Sequence, residues 1–195
     1  MIGIITTARS DFGLLKILIK KIYHNKNFKL KIFVTGSHLS KRFGYTVKEI
    51  YNEKIFKIIK LKNISYSYSD IDIAKSSLNL FKIFLGKIKK INKIKYMIIL
   101  GDRYELLPIA NICLLKGIKI IHIHGGETTL GSIDNSIRNA ISVIASFHLV
   151  ATQKSKLKLI SMGIPKNTIF NIGALGLEGV NNKIKEKNII ITNLW

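Results

Sequence analysis

What this chain has little of narrows it first. Cys113 is the only cysteine in 195 residues, which rules out an internal disulfide and fits a reducing compartment; its apolar neighbours point to a buried helix position with no evident chemistry. No run of about 18 uncharged apolar residues exists to span a bilayer, so no membrane partner is expected. Met1-Ile2-Gly3-Ile4-Ile5 lacks a basic leader region and a cleavage site and reads as a first strand, which makes a cytoplasmic location the expectation. The first turn also lacks the Gly-x-Gly-x-x-Gly spacing of a dinucleotide site. Arginine is scarce: only Arg9, Arg42, Arg103 and Arg138 occur in a chain that otherwise uses lysine for positive charge. Three of the four stand where a strand ends or the next helix begins, and a guanidinium fork suits phosphate or carboxylate in a way lysine cannot copy.

What is present describes one folded unit. A hydrophobic fraction of 47% and a mean hydropathy of +0.22 exclude disorder, and the length suits a single domain with a tail. The formal charge of +21 would attract phosphate non-specifically. The lysines, however, are spread among Ile and Asn along every helix and loop, with no basic block and no aromatic-basic motif. They read as solvated faces with weak polyanion stickiness, and no specific nucleic-acid partner is expected.

Apolar runs alternate with amphipathic stretches throughout. Strands are expected at Ile2–Ile5, Leu30–Val34, Ile55–Leu61, Tyr96–Leu100, Ile118–Ile123, Phe147–Ala151 and Ile169–Ile172. The first is followed by a helix with Leu14, Leu15, Ile17, Leu18 and Ile22 at helical spacing. Further helices are marked by Phe43, Val47, Ile50 and Tyr51; by Ile73, Leu80, Phe81, Phe84 and Ile91 over about 71–91; and by Leu106, Ile109, Ile112, Cys113 and Leu115 up to Gly117. Two more run from about Asp134 to Ser146 and from Gln153 to Met162, the latter closed by Gly163. Residues 63–70 are polar and read as a loop. The pattern predicts an α/β fold: a Rossmann-like, open, mostly parallel sheet of about seven strands with helices on both faces.

Chemistry-bearing residues collect at the carboxyl ends of those strands, where open parallel sheets place their ligands. After the first strand come Arg9, Ser10 and Asp11. Ser10 or Asp11 can cap the helix, whose free first-turn amides with Arg9 form an anion site; an ordinary capped turn explains the pattern equally. His38 reads as a polar loop residue. The fourth strand ends in Gly101-Asp102-Arg103-Tyr104-Glu105, charges that are costly to bury without partners, with Pro108 tolerated in the next helix's first turn. The fifth opens into His124-Gly125-Gly126-Glu127-Thr128-Thr129-Leu130-Gly131, then Asp134 and Arg138. Gly125 and Gly126 let backbone approach a ligand closely. Asp134 and Arg138, four apart, share a helix face, and a simple surface pair is the plain alternative. Of His122 and His124, one is expected to be a core histidine and not a ligand. No metal-ligand spacing stands out and no cofactor is expected. The candidates Arg9, Asp102, Arg103, His124, Glu127, Asp134 and Arg138 would line one crevice. There a carboxylate general base beside a cation-held phosphate leaving group outlines elimination or hydrolysis.

Three stretches resemble a family: Thr7 through Leu15, Gly101 through Glu105, and His122 through Gly131 continuing to Arg138 look like the amino-terminal half of the hydrolysing UDP-N-acetylglucosamine 2-epimerases. The resemblance covers about residues 1–180 and implies one half of a GT-B architecture, in which two Rossmann-like domains face each other across a UDP-sugar cleft. It implies elimination of UDP with removal of the C2 proton, then hydration of the glycal to N-acetylmannosamine for sialic acid synthesis, or the equivalent on a UDP-diacetamido sugar toward legionaminic acid. Carried over by motif, Asp102, Glu127 and Asp134 correspond to acid/base carboxylates. Arg9 and Arg138 would hold the diphosphate or orient a carboxylate, and Arg103, His124, Gly125 and Gly126 fall among the substrate contacts. Asn139 departs from the family, where a histidine commonly follows this arginine. Residues 181–195 form a Lys/Asn-rich tail at the start of a second domain that is otherwise absent. The expectation is therefore a chain with little activity alone, dependent on a companion chain carrying that domain, with a homo-oligomer as a further possible assembly. The alternative is a non-catalytic nucleotide-sugar-binding module.

Overall fold

Seven parallel strands carry the molecule. A computed structural model of the chain describes residues 1–53, 57–63, 69–91, 93–129 and 133–175. In chain order the elements are β1 (Ile2–Thr6), α1 (Arg9–His24), β2 (Leu30–Val34), α2 (Val47–Asn52), β3 (Ile58–Lys60), α3 (Asp70–Ile88), β4 (Tyr96–Leu100), α4 (Leu106–Leu115), β5 (Lys119–Ile123), α5 (Ile133–Ile144), β6 (Phe147–Val150), α6 (Gln153–Ser161) and β7 (Ile169–Asn171). They form one sheet in the order β3-β2-β1-β4-β5-β6-β7, every pairing parallel. The order reverses between β1 and β4, so a crevice opens beyond their carboxyl ends.

Unbroken apolar strands are what a sheet covered on both faces requires. Alternate residues of β1, β2, β4 and β5 feed two main cores. Ile2, Ile4, Ile32, Val34 and Ile98 pack against Phe12, Leu15 and Ile19 of α1 and Val47 and Ile50 of α2. On the other face Ile5, Phe33, Met97, Ile99 and Ile120 meet Leu80 and Phe84 of α3, Ile109 and Cys113 of α4, and Ile141 of α5. Burial pushes the Cys113 thiol up to about 12, leaving it inert at neutral pH.

Several boundaries and faces differ from the sequence expectation. Helix α3 stops at Ile88, and Ile91 lies beyond it in a turn. Leu115, expected to face the core, is 73% exposed. It stands two residues past buried Cys113, roughly 200° around the helix and so on the outer face. Phe43 and Tyr51 are likewise exposed: a 3₁₀ turn over Lys41–Phe43 and Gly44 at φ 81° separate Phe43 from α2. The third strand is shorter than expected at Ile58–Lys60, with residues 54–56 outside the described residues. Most of the 63–70 loop (64–68), Leu130-Gly131 and everything from residue 176 onward also lie outside them. Among the described residues no helix is long and apolar enough to cross a membrane.

Candidate active site

The site is built where β4 and β5 end side by side. Gly101 leaves β4 at φ 80°, its amide donating to the Ile123 carbonyl of β5, and Asp102 follows directly. At the end of β5 the chain turns sharply: His124 adopts φ 62° and Gly126 φ 75°. His124 is a non-glycine residue in the left-handed region, a conformation usually sustained by surrounding contacts. At Gly126 a side chain would run into the Ser155 carbonyl and Leu159 of α6, so only glycine lets the turn lie flat on that helix.

Arg138, in the second turn of α5, occupies the centre. It is 7% exposed, which removes the surface-pair reading of the Asp134/Arg138 spacing. Its Nε donates to Asp102 Oδ2 at 3.1 Å, and Nη2 makes a second, very short contact with the same oxygen. Nη1 donates to Glu127 Oε2 at 3.0 Å and to the His124 carbonyl at 3.5 Å, while Nη2 also reaches Thr129 Oγ1 at 3.3 Å. A single guanidinium thus fixes two carboxylates that are 25 residues apart in the chain, using the fork geometry lysine lacks. His124 Nδ1 lies 3.4 Å from Glu127 Oε1. Burial holds the His124 imidazole below its ordinary pKa, with Glu127 pulling upward and Arg138 downward, and its Nε2 is buried without a partner among the described residues. Asp134 stands half-buried in the first turn of α5.

Beneath these groups His122 is the core histidine, fully buried. Its Nε2 bonds the Gly101 carbonyl at 2.8 Å and its Nδ1 the Ser142 hydroxyl at 3.1 Å. Burial lowers it to about 4, so it is neutral. A Cβ on Gly125 would stand 3.0 Å from both His122 Nδ1 and Ser142 Oγ, so glycine lets the loop pass tightly over this pair.

The first βα turn does not join this cluster. Arg9 is turned outward, its side chain 74% exposed and ion-paired with Glu49 of α2 at 3.0 Å. Asp11 closes the turn by accepting from the amides of Thr7 and Ala8 at 3.2 and 3.1 Å. Its place at the third helical position is the reciprocal half of a capping box. Arg103 pairs with buried Glu105 at 3.4 Å, between the cluster and the first turn. His38, expected in a polar loop, is instead buried, bonded to Thr6 Oγ1 at 3.0 Å and Thr46 Oγ1 at 2.8 Å and lowered to about 4 chiefly by burial. Lys158 of α6 was invisible among so many lysines, yet its Nζ donates to the Glu127 carbonyl at 3.1 Å and to Thr128 Oγ1 at 3.0 Å. Among the described residues no group of three or more His, Cys, Asp or Glu could hold a metal ion.

A doubly wound parallel sheet with a polar cluster at the carboxyl ends of its strands defines a Rossmann-like α/β domain. The sequence model described as UDP-N-acetylglucosamine 2-epimerase matches residues 20–193, and the chain belongs to that family. It is 40% identical over 182 residues to a GDP/UDP-N,N'-diacetylbacillosamine 2-epimerase (hydrolyzing) of Campylobacter jejuni, covering 93% of this chain and 47% of that protein. It is 34% identical to the UDP-N,N'-diacetylbacillosamine 2-epimerase (hydrolyzing) of Legionella pneumophila, over 90% of this chain and 46% of the relative. The chain spans about half the length of the curated relatives it matches. In fold it is similar to the UDP-GlcNAc 2-epimerase from Neisseria meningitidis solved with UDP-GlcNAc, at TM-score 0.77 and 16% identity, over 92% of this chain and 48% of that one. The open sheet is therefore one Rossmann-like half of a GT-B-type architecture.

Proposed function

We propose that this chain supplies the proton-transfer wall of a hydrolysing UDP-sugar 2-epimerase. The observation that carries the reading is Arg138 buried between Asp102 and Glu127, with His124 against the second carboxylate. A carboxylate in this cluster takes the C2 proton of the sugar while the C1–O bond breaks and UDP departs with the bonding electrons. Water then adds hydroxyl to C1 and a proton to C2 of the resulting glycal, the new proton arriving on the opposite face. Glu127 and Asp102 are assigned this acid/base work, with Asp134 the third carboxylate at the rim. Arg138 orients carboxylates rather than phosphate, because its hydrogen bonds are already directed to Asp102, Glu127 and Thr129. Arg9 would have to release Glu49 to reach a diphosphate. Arg103, His124, Gly125 and Gly126 complete the substrate-facing wall.

Two relatives named for the diacetamido sugar stand at 40% and 34% identity, and the Neisseria UDP-N-acetylglucosamine 2-epimerase at 31%. A UDP-diacetamido hexose is accordingly the preferred substrate of this reading, with UDP-N-acetylglucosamine second. Residues 1–180 act as one unit, and the opposite wall of the cleft is assigned to the part of the relatives' length that this chain does not span. A half-cleft neither excludes water nor encloses the nucleotide, so the purified chain should release UDP far more slowly than about 1 per second, a normal turnover. Calorimetric titration of UDP and both UDP-sugars, repeated with Glu127→Gln, tests the reading. Residual UDP-sugar binding altered by the substitution supports it. UDP-sugar binding that Glu127→Gln leaves unaltered favours a non-catalytic binding module, absence of any nucleotide binding defeats both readings, and full turnover by the isolated chain defeats the half-site proposal.

A further inference from the structure

We propose that Lys158 is a positioning residue for Glu127, a strut from α6 that fixes the backbone of the glycine turn and with it the direction in which the carboxylate points. The proposal rests on the reading of Glu127 as a proton-transfer group, but its test does not.

Three residues of α6 on one helical face meet the turn: Ser155, Lys158 and Leu159, spaced i, i+3, i+4. Ser155 and Leu159 are buried and form the flat bed on which Gly126 lies. Lys158 stands at the edge of that bed and reaches over the next two residues, bonding the Glu127 carbonyl at 3.1 Å and the Thr128 hydroxyl at 3.0 Å. Both acceptors are neutral. This separates Lys158 from the solvated lysines of the surface and from Arg9, Arg103 and Arg138, each of which faces a carboxylate. Glu127 is thereby held at both ends. Its carboxylate is gripped by Arg138 and approached by His124, and its backbone carbonyl is held by Lys158. Glu127 nevertheless keeps 34% of its side chain exposed, so core packing does not fix its direction. Two hydrogen bonds from α6 supply what packing leaves open, and catalytic geometry is sensitive to displacements of about an ångström. The helix itself is anchored through Leu159 in the small core with Val150, Ile164 and Ile169, so losing the lysine leaves α6 in place.

The titration of His124 in the ligand-free full chain reads the position of Glu127, because the carboxylate beside the imidazole favours its protonated form. Followed by ring-proton NMR, Lys158→Met should lower the His124 midpoint by about half a pH unit as Glu127 moves away. Removing a positive charge by itself would raise the midpoint, so the sign separates repositioning from simple electrostatics. Lys158→Arg, which keeps a long cationic donor, should restore most of the wild-type value. Thr128→Val, which deletes one acceptor and leaves all charges in place, should give a smaller fall and serves if Lys158→Met does not fold. An unchanged or raised midpoint in Lys158→Met or in Thr128→Val overturns the strut. UDP-sugar binding by Glu127→Gln is scored separately: an unaltered isotherm would remove the catalytic reading of Glu127 while the His124 result still decides the role of Lys158.

Discussion

The chain makes the same local device twice, and the two copies end differently. After β1 and after β5 a strand runs into a polar turn and a helix bearing an arginine. At the first, Arg9 lies in solvent beside Glu49 and the turn is closed by its own Asp11. At the second, Arg138 is buried and holds Asp102 from the neighbouring strand end together with Glu127 from the loop before it. The difference is one of burial and partner number. An exposed pair gains little over water, whereas a buried guanidinium between two carboxylates is structurally obligatory once formed. Asp102, Glu127 and Arg138 are therefore held together before any ligand arrives, whereas Arg9 has only an exposed pair to give up.

Acid should break the contrast most strongly, because both regions rest on buried neutral histidines: His38 under the first turn and His122 under the second, with His148 on β6 beside it. Burial lowers all three to about 4. The folded state thus binds these protons more weakly than the unfolded chain, whose histidines titrate near 6.5. Their contribution is intact above about pH 6.5, declines as pH falls toward 4 and changes no further below it. Urea unfolding at pH 7.5 and pH 5 should differ by several kcal/mol, each histidine costing on the order of 1.4 kcal/mol for every pH step of one below about 6.5. His148→Leu should shrink that difference at little cost at neutral pH, since neither His148 ring nitrogen has a hydrogen-bond partner among the described residues. A pH-independent midpoint would show that the three imidazoles are not held neutral.

Removing the central cation is the next largest test. Arg138→Met should cost about 3 kcal/mol in urea unfolding, since it strands Asp102 and Glu127 against each other. Arg138→Lys should recover only part of it, a point charge being unable to bridge both. A loss below about 1 kcal/mol would put Arg138 on a par with a surface ion pair. At the small end, Arg9→Ala should change stability by no more than about 0.5 kcal/mol. If it costs as much as Arg138→Met, the two turns are equivalent after all.

Much of the fold was legible in the sequence because its signals are local. Tyr96–Leu100 is an uninterrupted apolar stretch that only a covered strand accommodates, the Ile118 run is apolar but for Lys119 and His122, and both became central strands. Errors fell where helical spacing alone misleads: Leu115 has the right residue type but the wrong angle, and Phe43 sits in a 3₁₀ turn outside its expected helix. For the site, residue types and strand-end positions pointed to Asp102, His124, Glu127 and Arg138, which do come together. Arg9 looked equivalent and is not. His38 and Lys158 carried no sequence signal, since one needed Thr6 and Thr46 folded over it and the other was one lysine among many.

By itself the sequence determined the alternation of strand and helix, and hence a parallel sheet with polar turns at its carboxyl edge, because hydrophobic periodicity acts between residues a few positions apart. Which charges met was decided only in three dimensions. Asp102 and Arg138 are 36 residues apart, and their contact exists because β4 and β5 pair in register and α5 packs back over the sheet. Sheet order and helix rotation are set by packing and long-range pairing, and a one-dimensional pattern does not fix them.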